Sequence, residues 1–326
     1  MNLQYKITTI LCTYNGAAYI EQQLQSIIKQ SQEVDEIIIC DDGSTDKTLE
    51  IIATFMKYKP TKIQLYVNKE TLRVNKNFEK ALRLSTGDYI FFSDQDDIWE
   101  TNKVELILKI FKENPTAQGV FSNAHLIDDE GNKMDSKSLW DNVLFIENMI
   151  KSQKDLYGYI SNIRNMVTGA TLCIKKGTKD FIFPFPDVKV MYHDEWIALI
   201  LAYKNTLFYS TEKLISYRVH ASQQIGVIKQ SVLKENCSII ESIIDKKYPK
   251  KFHYLYLIYK SYFRNYNKFA RLKKSYIHII NFDLDVIIQT NKNNIITIET
   301  SLKKSNLILY YFKKLADKIA GKRQFN

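Results

Sequence analysis

The acidic side chains best placed for chemistry follow strand-like, apolar segments of the sequence. Asp41-Asp42-Gly43-Ser44 follows the run EIIIC, and Asp94-Gln95-Asp96-Asp97 follows YIFFS. A third polar cluster, Thr13-Tyr14-Asn15, ends the apolar run that begins at Lys6. Ligands of open α/β sheets bind beyond the carboxyl ends of the strands. The three clusters are therefore expected to meet in one crevice, although they lie far apart in the sequence.

Asp94 and Asp96 form an acidic pair with one residue between them. Two carboxylates on a turn bind a hard divalent cation, Mg²⁺ or Mn²⁺, through oxygen. Such an ion would neutralise the charge that develops on a departing nucleoside diphosphate. The alternative is a solvated acidic turn that caps a helix beginning near Asn102. An EF-hand is excluded, because Ile98 and Trp99 would occupy its fifth and sixth positions.

Phosphatases of the haloacid-dehalogenase type also place two aspartates, with one residue between them, after a strand. They require Gly and then Thr or Val directly afterwards, whereas Asp97-Ile98 follows here. This class remains the enzyme alternative, and a non-catalytic module that binds nucleotide sugars or glycans is the alternative without chemistry.

A turn explains part of the cluster that begins at Asp41. Gly43 supplies a positive φ, and Ser44 or Thr45 can cap the following helix. The turn does not explain two adjacent carboxylates at the end of an apolar strand, because Asp41 and Asp42 repel each other unless something accepts their charge. A carboxylate here could accept the N3–H of a uracil or thymine ring.

Two further clusters lie in the second half of the sequence. His193-Asp194-Glu195-Trp196 opens a helix, where Asp194 is either the N-cap or a general base that removes a proton from an acceptor hydroxyl. Tyr217-Arg218-Val219-His220 ends a strand-like run, and His220 is either a core histidine or a neutral imidazole ligand of a metal. The residues alone leave both alternatives open.

Apolar, β-branched runs alternate with helical periodicity over the first 120 or so residues. This alternation predicts βαβ units and a doubly wound, mostly parallel sheet. Phe183-Pro184-Phe185-Pro186 predicts a loop, since proline lacks a backbone donor. The predicted strands are 6–13, 36–40, 63–67, 89–92 and 170–175, and the predicted helices are 17–30, 47–56, 77–84, 102–112 and 193–204.

The charge of the chain is concentrated in its last hundred residues. The 326 residues carry a net charge of +10, but residues 229–326 contain 20 Lys and Arg against 7 Asp and Glu. The pattern there is helical and rich in tyrosine. We therefore expect one α/β domain over residues 1–228 and a basic, Tyr-rich helical region over 229–326. This region either packs as a solvated bundle or contacts the anionic surface of a membrane.

Several classes of protein are not expected. Basic and aromatic residues occur together, but no nucleic-acid-binding motif accompanies them, so no nucleic acid partner is predicted. The N-terminal residues read as a strand rather than a signal peptide, and no run of about 18 apolar residues predicts a membrane span. The four cysteines form no C-x-x-C pair, which favours a cytoplasmic protein without disulfides.

Together the motifs resemble the inverting family 2 glycosyltransferases of GT-A fold. The resemblance spans roughly residues 5–226 and is closest to members that transfer rhamnose in bacterial surface polysaccharide synthesis, such as capsule or O-antigen. It rests on motifs that occur together in this order: TILCTYNGAAYIEQQLQSI, EIIICDDGSTDKT, NKNFEKALRLSTGDYIFFSDQDDIW, YHDEW and YRVHASQQIG.

The resemblance implies a role for each matching residue. Asp96 would be the principal metal ligand, with Asp94 on the metal or the ribose and His220 near the metal or the diphosphate. Asp194 would be the catalytic base, and Glu195 and Trp196 would shape the acceptor pocket. The residues implied to bind the nucleotide sugar are Thr13, Tyr14, Asn15, Asp41, Asp42, Arg73, Asn77, Asp94 and Gln95.

The implied reaction is a single in-line displacement that uses Mg²⁺ or Mn²⁺. The donor would be a dTDP- or UDP-sugar, with dTDP-rhamnose favoured by the motif variants. The acceptor would be a glycan or a polyprenyl-linked sugar, which places the protein in the cytoplasm or at the inner face of the membrane. Processive relatives carry a Q-x-x-R-W motif, but Gln223-Gln224-Ile225-Gly226 stands near that position without Arg-Trp, so non-processive transfer is expected.

Overall fold

The computed structural model describes residues 5–58, 62–187, 189–220, 230–276 and 284–321. The chain divides into two compact units, one of residues 1–145 with 166–227 and one of residues 146–165 with 228–326. The predicted division at residue 228 did not include the segment 146–165 in the helical unit. That segment joins it through Asn265, whose side-chain amide donates to the carbonyl oxygens of Asn162 and Ile163.

A mixed sheet of nine strands forms the core of the first unit. Its order is β3-β2-β1-β4-β8-β6-β9-β5, with β7 paired to β6. The first four strands of this order are parallel, whereas β8 and β5 pair antiparallel with their neighbours. The strands are β1 Ile7–Thr13, β2 Glu36–Asp41, β3 Lys62–Val67, β4 Tyr89–Ser93, β5 Ile98–Trp99, β6 Gly119–Ile127, β7 Lys133–Ser138, β8 Cys173–Lys175 and β9 Leu207–Arg218.

Helices connect the strands and build the second unit. Those of the first unit are α1–α5, α7 and α8, and those of the helical unit are α6 and α9–α12. In chain order they are α1 Ile20–Ile28, α2 Thr48–Tyr58, α3 Arg73–Leu84, α4 Lys103–Glu113, α5 Leu139–Val143, α6 Gln153–Asn162, α7 Lys179–Ile182, α8 His193–Tyr203, α9 Gln230–Ile244, α10 Phe252–Tyr276, α11 Leu284–Ser305 and α12 Leu307–Ile319.

The parallel register brings the predicted polar clusters to one edge of the sheet. Thr13 lies opposite Asp41 in the β1–β2 pair, and Leu11 lies opposite Ser93 in the β1–β4 pair. Strands β1, β2 and β4 therefore end at nearly the same level, and their polar extensions leave the sheet side by side. The predicted α/β class with a mostly parallel first half and a helical extension is confirmed.

Three local expectations needed correction. Helix α3 begins at Arg73 rather than at residue 77, because the Asp42 carboxylate accepts the Leu72 and Arg73 N–H groups and orders the first turn. The strand predicted over 170–175 covers only Cys173–Lys175, since residues 169–171 form a 3₁₀ turn. The acidic turn does not cap α4, where Asn102 itself makes no side-chain capping bond.

Several tyrosines of the helical unit are core residues. Tyr259, Tyr262 and Tyr266 of α10 are buried, and the Tyr259 hydroxyl donates to Glu299 of α11. The burial of these three tyrosines fits a packed helical bundle, and contact of this region with a membrane stays a prediction. Among the residues that the structure describes, we find no helix long and apolar enough to cross a bilayer.

Glu36, at the start of β2, predicts a measurable dependence of stability on pH. Burial raises its pKa, but hydrogen bonds from Lys6, Thr8 and Thr86 outweigh burial and lower the pKa to about 2. Because the folded-state value lies below the ordinary 4.5, the carboxylate stabilises the fold above pH 4.5, and this contribution disappears as the pH falls towards 2. We expect Glu36→Gln to lower the free energy of unfolding by about 3 kcal/mol at pH 7.

Urea unfolding of both proteins across this pH range measures the effect. The difference between wild type and Glu36→Gln should shrink as the pH falls from 4.5 towards 2. Glu33→Gln, at an exposed position, should leave stability unchanged. A difference that stays constant with pH would contradict this role of Glu36.

Candidate active site

The loop that follows β4 concentrates negative charge at the edge of the sheet. The pKa of Asp94 is raised to about 7, first by burial and then by the charges of Asp96 and Asp194. Asp194 lies a hundred residues away in the sequence, so its effect on Asp94 shows that the fold brings the two clusters together. Asp94, Asp96 and Asp194 thus belong to one site.

Lys103 lies beneath this loop as a buried counter-charge. Its Nζ donates to the Ala170 carbonyl oxygen at 2.8 Å and lies 3.7 Å from the centroid of the Trp99 ring. Burial lowers the pKa of Lys103 to about 7, while Asp97 and Asp94 act in the opposite direction. The charge of Lys103 in turn lowers the pKa values of Asp94 and Asp97, but burial raises them by more.

His220 lies directly against the acidic loop. Its Nε2 is 2.9 Å from Asp96 Oδ2, and its ring is tilted over that of Tyr19 with 5.2 Å between the centroids. Within the described ranges, no three His, Cys, Asp or Glu side chains form a site that could hold a metal by themselves. Mg²⁺-type ions are commonly held by one or two carboxylates together with substrate phosphates. The donor set of Asp94, Asp96 and His220 fits that kind of site.

Arg218 holds the acidic loop in place. Its Nε donates to the Asp96 carbonyl oxygen at 2.8 Å, and its backbone N–H donates to Asp97 Oδ1 at 3.0 Å. The rest of the buried guanidinium donates to the carbonyl oxygens of Asp128 and Asp129 and to Gln22 Oε1 of α1. A single side chain thereby fixes the loop to α1 and to the turn between β6 and β7.

Gln95 points back over the end of β1 instead of towards solvent. Its Oε1 accepts hydrogen bonds from the Thr13 hydroxyl at 2.6 Å and from the Tyr14 N–H at 2.9 Å. A Cβ at Gly16 would lie 2.3 Å from the same oxygen, so a larger residue there would displace the Gln95 side chain. The polar groups of Thr13 and Gln95 are thus bonded to each other, whereas the Tyr14 side chain is exposed.

The carboxylate of Asp41 closes the turn after β2. It accepts the N–H groups of Gly43 and Ser44 and the Ser44 hydroxyl. Asn15 joins the same turn, because its Oδ1 accepts the Thr45 N–H at 2.8 Å and its own N–H donates to Ser44 Oγ. Asp41 and Asn15 therefore shape the loop that follows β2.

Asp42 is bonded on both oxygens. Oδ1 accepts the Leu72 N–H and the Asn68 side-chain amide, and Oδ2 accepts the Arg73 N–H. Asn77 Oδ1 accepts a hydrogen bond from the Asn68 side-chain amide. The Asn77 side-chain amide in turn donates to the Cys40 carbonyl oxygen of β2. The chain itself thus accepts the adjacent charges of Asp41 and Asp42, and the expected contact with a nucleobase stays a prediction.

Asp194 lies at the start of α8 and is held by backbone donors. Oδ1 accepts the Glu195 N–H at 2.6 Å and Oδ2 accepts the Gly169 N–H at 3.2 Å. Burial raises the pKa of Asp194 to about 7, despite these donors. A Cβ at Gly169 would lie 2.9 Å from Nε2 of the buried His193 ring, so only glycine brings this N–H to the carboxylate.

The start of α8 is tied to α3. The Asn75 side chain accepts the His193 N–H and donates to the carbonyl oxygens of Pro186 and Met191. The His193 ring stacks on Phe78, with 4.1 Å between the ring centroids, and burial lowers its pKa to about 3. His193 is therefore a neutral core residue that fixes the position of Asp194.

The Trp196 side chain belongs to the core of the first unit. It is buried, and its indole N–H donates to the Ile182 carbonyl oxygen at 2.7 Å. Its expected part in shaping an acceptor pocket stays a prediction. Glu195, one residue earlier, is half-buried beside Asp194. Residues 221–229, which include Gln223–Gly226, lie outside the described part of the chain.

Several important residues carried no usable signal in the sequence. Lys103 begins an amphipathic helix, where a lysine ordinarily faces solvent, and Asn68 follows a strand without any motif. Arg218 lies in the YRVH segment and Asp97 in the acidic cluster. Neither motif indicates which residues these side chains contact. Contacts between distant parts of the chain give these residues their roles.

Residues 8–176 match the family model described as Glycosyl transferase family 2. The match covers more than half of the chain. The chain therefore belongs to glycosyl transferase family 2, and its fold is of the GT-A class. This assignment replaces the phosphatase alternative.

Similar sequences include other glycosyltransferases. The chain is 26% identical over 225 residues to an uncharacterized glycosyltransferase of Nostoc sp., covering 67% of this chain and 66% of that protein. It is 31% identical over 228 residues to dTDP-rhamnosyl transferase RfbG of Shigella flexneri, covering 66% and 73%. It is also 26% identical to the Escherichia coli UDP-Glc:alpha-D-GlcNAc-diphosphoundecaprenol beta-1,3-glucosyltransferase WfaP, covering 73% and 86%. The chain thus spans just under two thirds of the Nostoc relative.

Solved structures share the fold. TarS 1-349 of S. aureus in complex with UDP superposes with a TM-score of 0.52 at 15% identity, covering 92% of both chains. The mannosyltransferase PcManGT of Pyrobaculum calidifontis, in complex with GDP-Man and Mn²⁺, gives a TM-score of 0.51 at 18% identity, covering 97% of this chain and 89% of that one. At these identities the likeness concerns the fold alone.

Arg218→Met is expected to loosen the acidic loop. The change keeps much of the side-chain volume but removes the guanidinium donors to the loop carbonyls and to Gln22. We expect the free energy of unfolding to fall by about 3 kcal/mol, because the buried acceptors lose their partners. Chemical denaturation measures this loss. Lys213→Gln, at an exposed position of the same strand, is the control, and equal stability of the two variants would contradict the role of Arg218.

Proposed function

We propose that the protein transfers a single sugar from a nucleoside diphosphate sugar to a hydroxyl group of a glycan or lipid-linked acceptor, with inversion at the anomeric carbon. The observation that carries the proposal is the convergence of Asp94, Asp96 and Asp194 at the carboxyl edge of the sheet. The electrostatic effect of Asp194 on Asp94 reflects this proximity. Such a transfer can use two carboxylates that hold a metal ion and a separate carboxylate that acts as the general base.

Asp194 acts as the general base in the proposed reaction. It takes the proton of the acceptor hydroxyl while that oxygen bonds to the anomeric carbon and the bond to the diphosphate breaks. A carboxyl whose pKa lies near 7 accepts a proton more readily than an ordinary one and is still about half ionised at neutral pH. The N–H groups of Gly169 and Glu195 keep the carboxylate oriented.

Asp94, Asp96 and His220 are proposed to hold a divalent cation, Mg²⁺ or Mn²⁺, together with the diphosphate of the donor. When bound, such a cation neutralises the charge that develops on the leaving diphosphate. Arg218 keeps the loop in the geometry for binding. The loop of Thr13–Asn15, with Asp41, Asp42, Arg73, Asn77 and Gln95 around it, is proposed to bind the nucleotide.

The favoured donor is dTDP-rhamnose. RfbG, at 31% identity, is a dTDP-rhamnosyl transferase by name, and this supports a deoxythymidine nucleotide. WfaP, at 26% identity, is named for a UDP-glucose donor and a diphosphoundecaprenol-linked acceptor. UDP-glucose is therefore the second donor to test, and a polyprenyl-linked acceptor in bacterial surface polysaccharide synthesis is the proposed acceptor class.

A thermal-shift panel of nucleoside diphosphates and nucleotide sugars tests the donor. A ligand that binds only the folded protein raises its melting temperature, and about 100 times the dissociation constant adds about 2.7 kcal/mol of stability. We expect dTDP-rhamnose with Mn²⁺ to give the largest shift and Asp96→Asn to abolish the contribution of the metal. Equal shifts with and without Mn²⁺ would contradict the metal site, and a larger shift with a UDP-sugar would replace the rhamnose donor.

Asp194→Asn tests the base. The amide keeps the shape but cannot accept the proton, so we expect transfer to fall by about 100- to 10,000-fold. For the wild type, kcat/KM should fall about tenfold per pH unit on the acid side, because protonation removes the base. The midpoint is expected at or below the pKa of about 7, since a bound cation nearby favours the ionised form.

Two controls make this test specific. Asp180→Asn, at an exposed position of α7, should leave the rate and the pH profile unchanged. Asp194→Asn should still show the donor-dependent thermal shift, which separates binding from chemistry. Full transfer by Asp194→Asn would remove Asp194 from the mechanism and favour a protein whose site only binds.

A further inference from the structure

Helix α12 carries an exposed apolar stripe on the side that faces away from its own unit. Ile308 is 85% exposed, Ile319 79% and Phe312 65%, and Tyr311 and Leu315 are each 58% exposed. These positions recur at helical spacing and therefore lie on one face. Among the described residues, six of the fifteen exposed large apolar side chains belong to this one short helix. The stripe is thus a local feature rather than scattered surface.

The opposite face holds α12 on the helical unit. Asp317 accepts the Tyr256 hydroxyl of α10 at 3.0 Å, and Lys314 donates to Glu299 of α11 at 2.9 Å. Tyr310 is buried on the same side. Because these contacts fix the rotation of the helix about its axis, the apolar stripe is held outward by the fold.

Lysines lie near both ends of the stripe. Lys318 of α12 and Lys303 and Lys304 at the end of α11 are exposed, and the acidic residue of α12, Asp317, is buried. The Ser305 hydroxyl donates to the Lys250 carbonyl oxygen, which brings the basic turn of residues 246–251 to the start of α12. The four lysines of that turn are Lys246, Lys247, Lys250 and Lys251.

We propose that α12 is an interfacial membrane helix, which lies in the plane of an anionic bilayer with Ile308, Phe312, Leu315 and Ile319 in the acyl boundary and the nearby lysines on the lipid headgroups. An apolar face with a basic border is the pattern of helices that bind at this depth. This membrane contact rests on the proposed function, because it would bring the enzyme to a lipid-linked acceptor.

A second copy of the chain is the other occupant that an apolar stripe would accept. Pairing two copies through α12 would bring the two lysine borders together, and like charges at short distance repel. An anionic lipid surface instead neutralises every lysine of the border, and each lysine near such a surface contributes to binding. The charge of the border therefore favours the membrane over a dimer.

Flotation of the full-length protein with phosphatidylcholine vesicles, prepared with and without phosphatidylglycerol, tests the proposal. We expect binding to vesicles with phosphatidylglycerol and a decrease when salt is raised. Ile308→Ser/Phe312→Ser/Ile319→Ser should lower the partition coefficient at least about 100-fold, because each lost side chain removes roughly a tenfold gain in partitioning. Lys304→Gln/Lys318→Gln should weaken binding to the anionic vesicles and leave the weak binding to phosphatidylcholine unchanged.

Val286→Ser/Ile296→Ser is the matched control, because these exposed apolar residues lie on α11. It should bind vesicles like the wild type, and binding of the α12 triple variant at the wild-type level would overturn the proposal. Sedimentation velocity without lipid provides the second readout, since a dimer that the triple variant abolishes would assign the stripe to a second copy. The donor-dependent thermal shift is expected in all variants. Its loss in the wild type would overturn the proposed function and leave the vesicle result standing.

Discussion

Several carboxylates are gathered at one buried edge of a parallel sheet, and their mutual repulsion is the constraint on which the rest of the site depends. Burial and like charge both favour the protonated form, which is why Asp94 and Asp194 have pKa values near 7. The fold offsets this cost with a buried lysine, Lys103, and with backbone N–H donors. The remaining negative charge is concentrated where a cation and a diphosphate are proposed to bind.

The same constraint separates two kinds of acidic residue. Asp41 and Asp42 have their oxygens occupied by N–H groups of the chain, so they shape loops and set the start of α3. Burial is the main cause of the raised pKa values of Asp94 and Asp194, and the charges of neighbouring carboxylates add to it. The second pair is therefore proposed to take part in the transfer itself, whereas the first pair shapes the loop that is proposed to bind the nucleotide.

The two units divide the charge of the molecule. The helical unit contains most of the excess lysine and arginine, whereas the α/β unit contains the acidic site. This division matches the proposed division of tasks between a surface that contacts anionic lipid and a crevice that binds a cation and its nucleotide. The outward stripe of α12 is compatible with that division, because its rotation is fixed by Tyr256 and Glu299.

The sequence by itself determined the parallel strands, the polar clusters at their ends, the acidic pair and the position of Asp194 at the start of a helix. These features are local, since apolar runs, helical period and turn residues are encoded within a few neighbouring positions. Only the tertiary structure decided that Lys103 lies buried under the acidic loop, that Arg218 reaches Gln22, and that Trp196 faces the core. It also decided that residues 146–165 join the helical unit. Each of these outcomes depends on contacts between residues far apart in the chain, and local periodicity does not encode the burial or the partner of such residues.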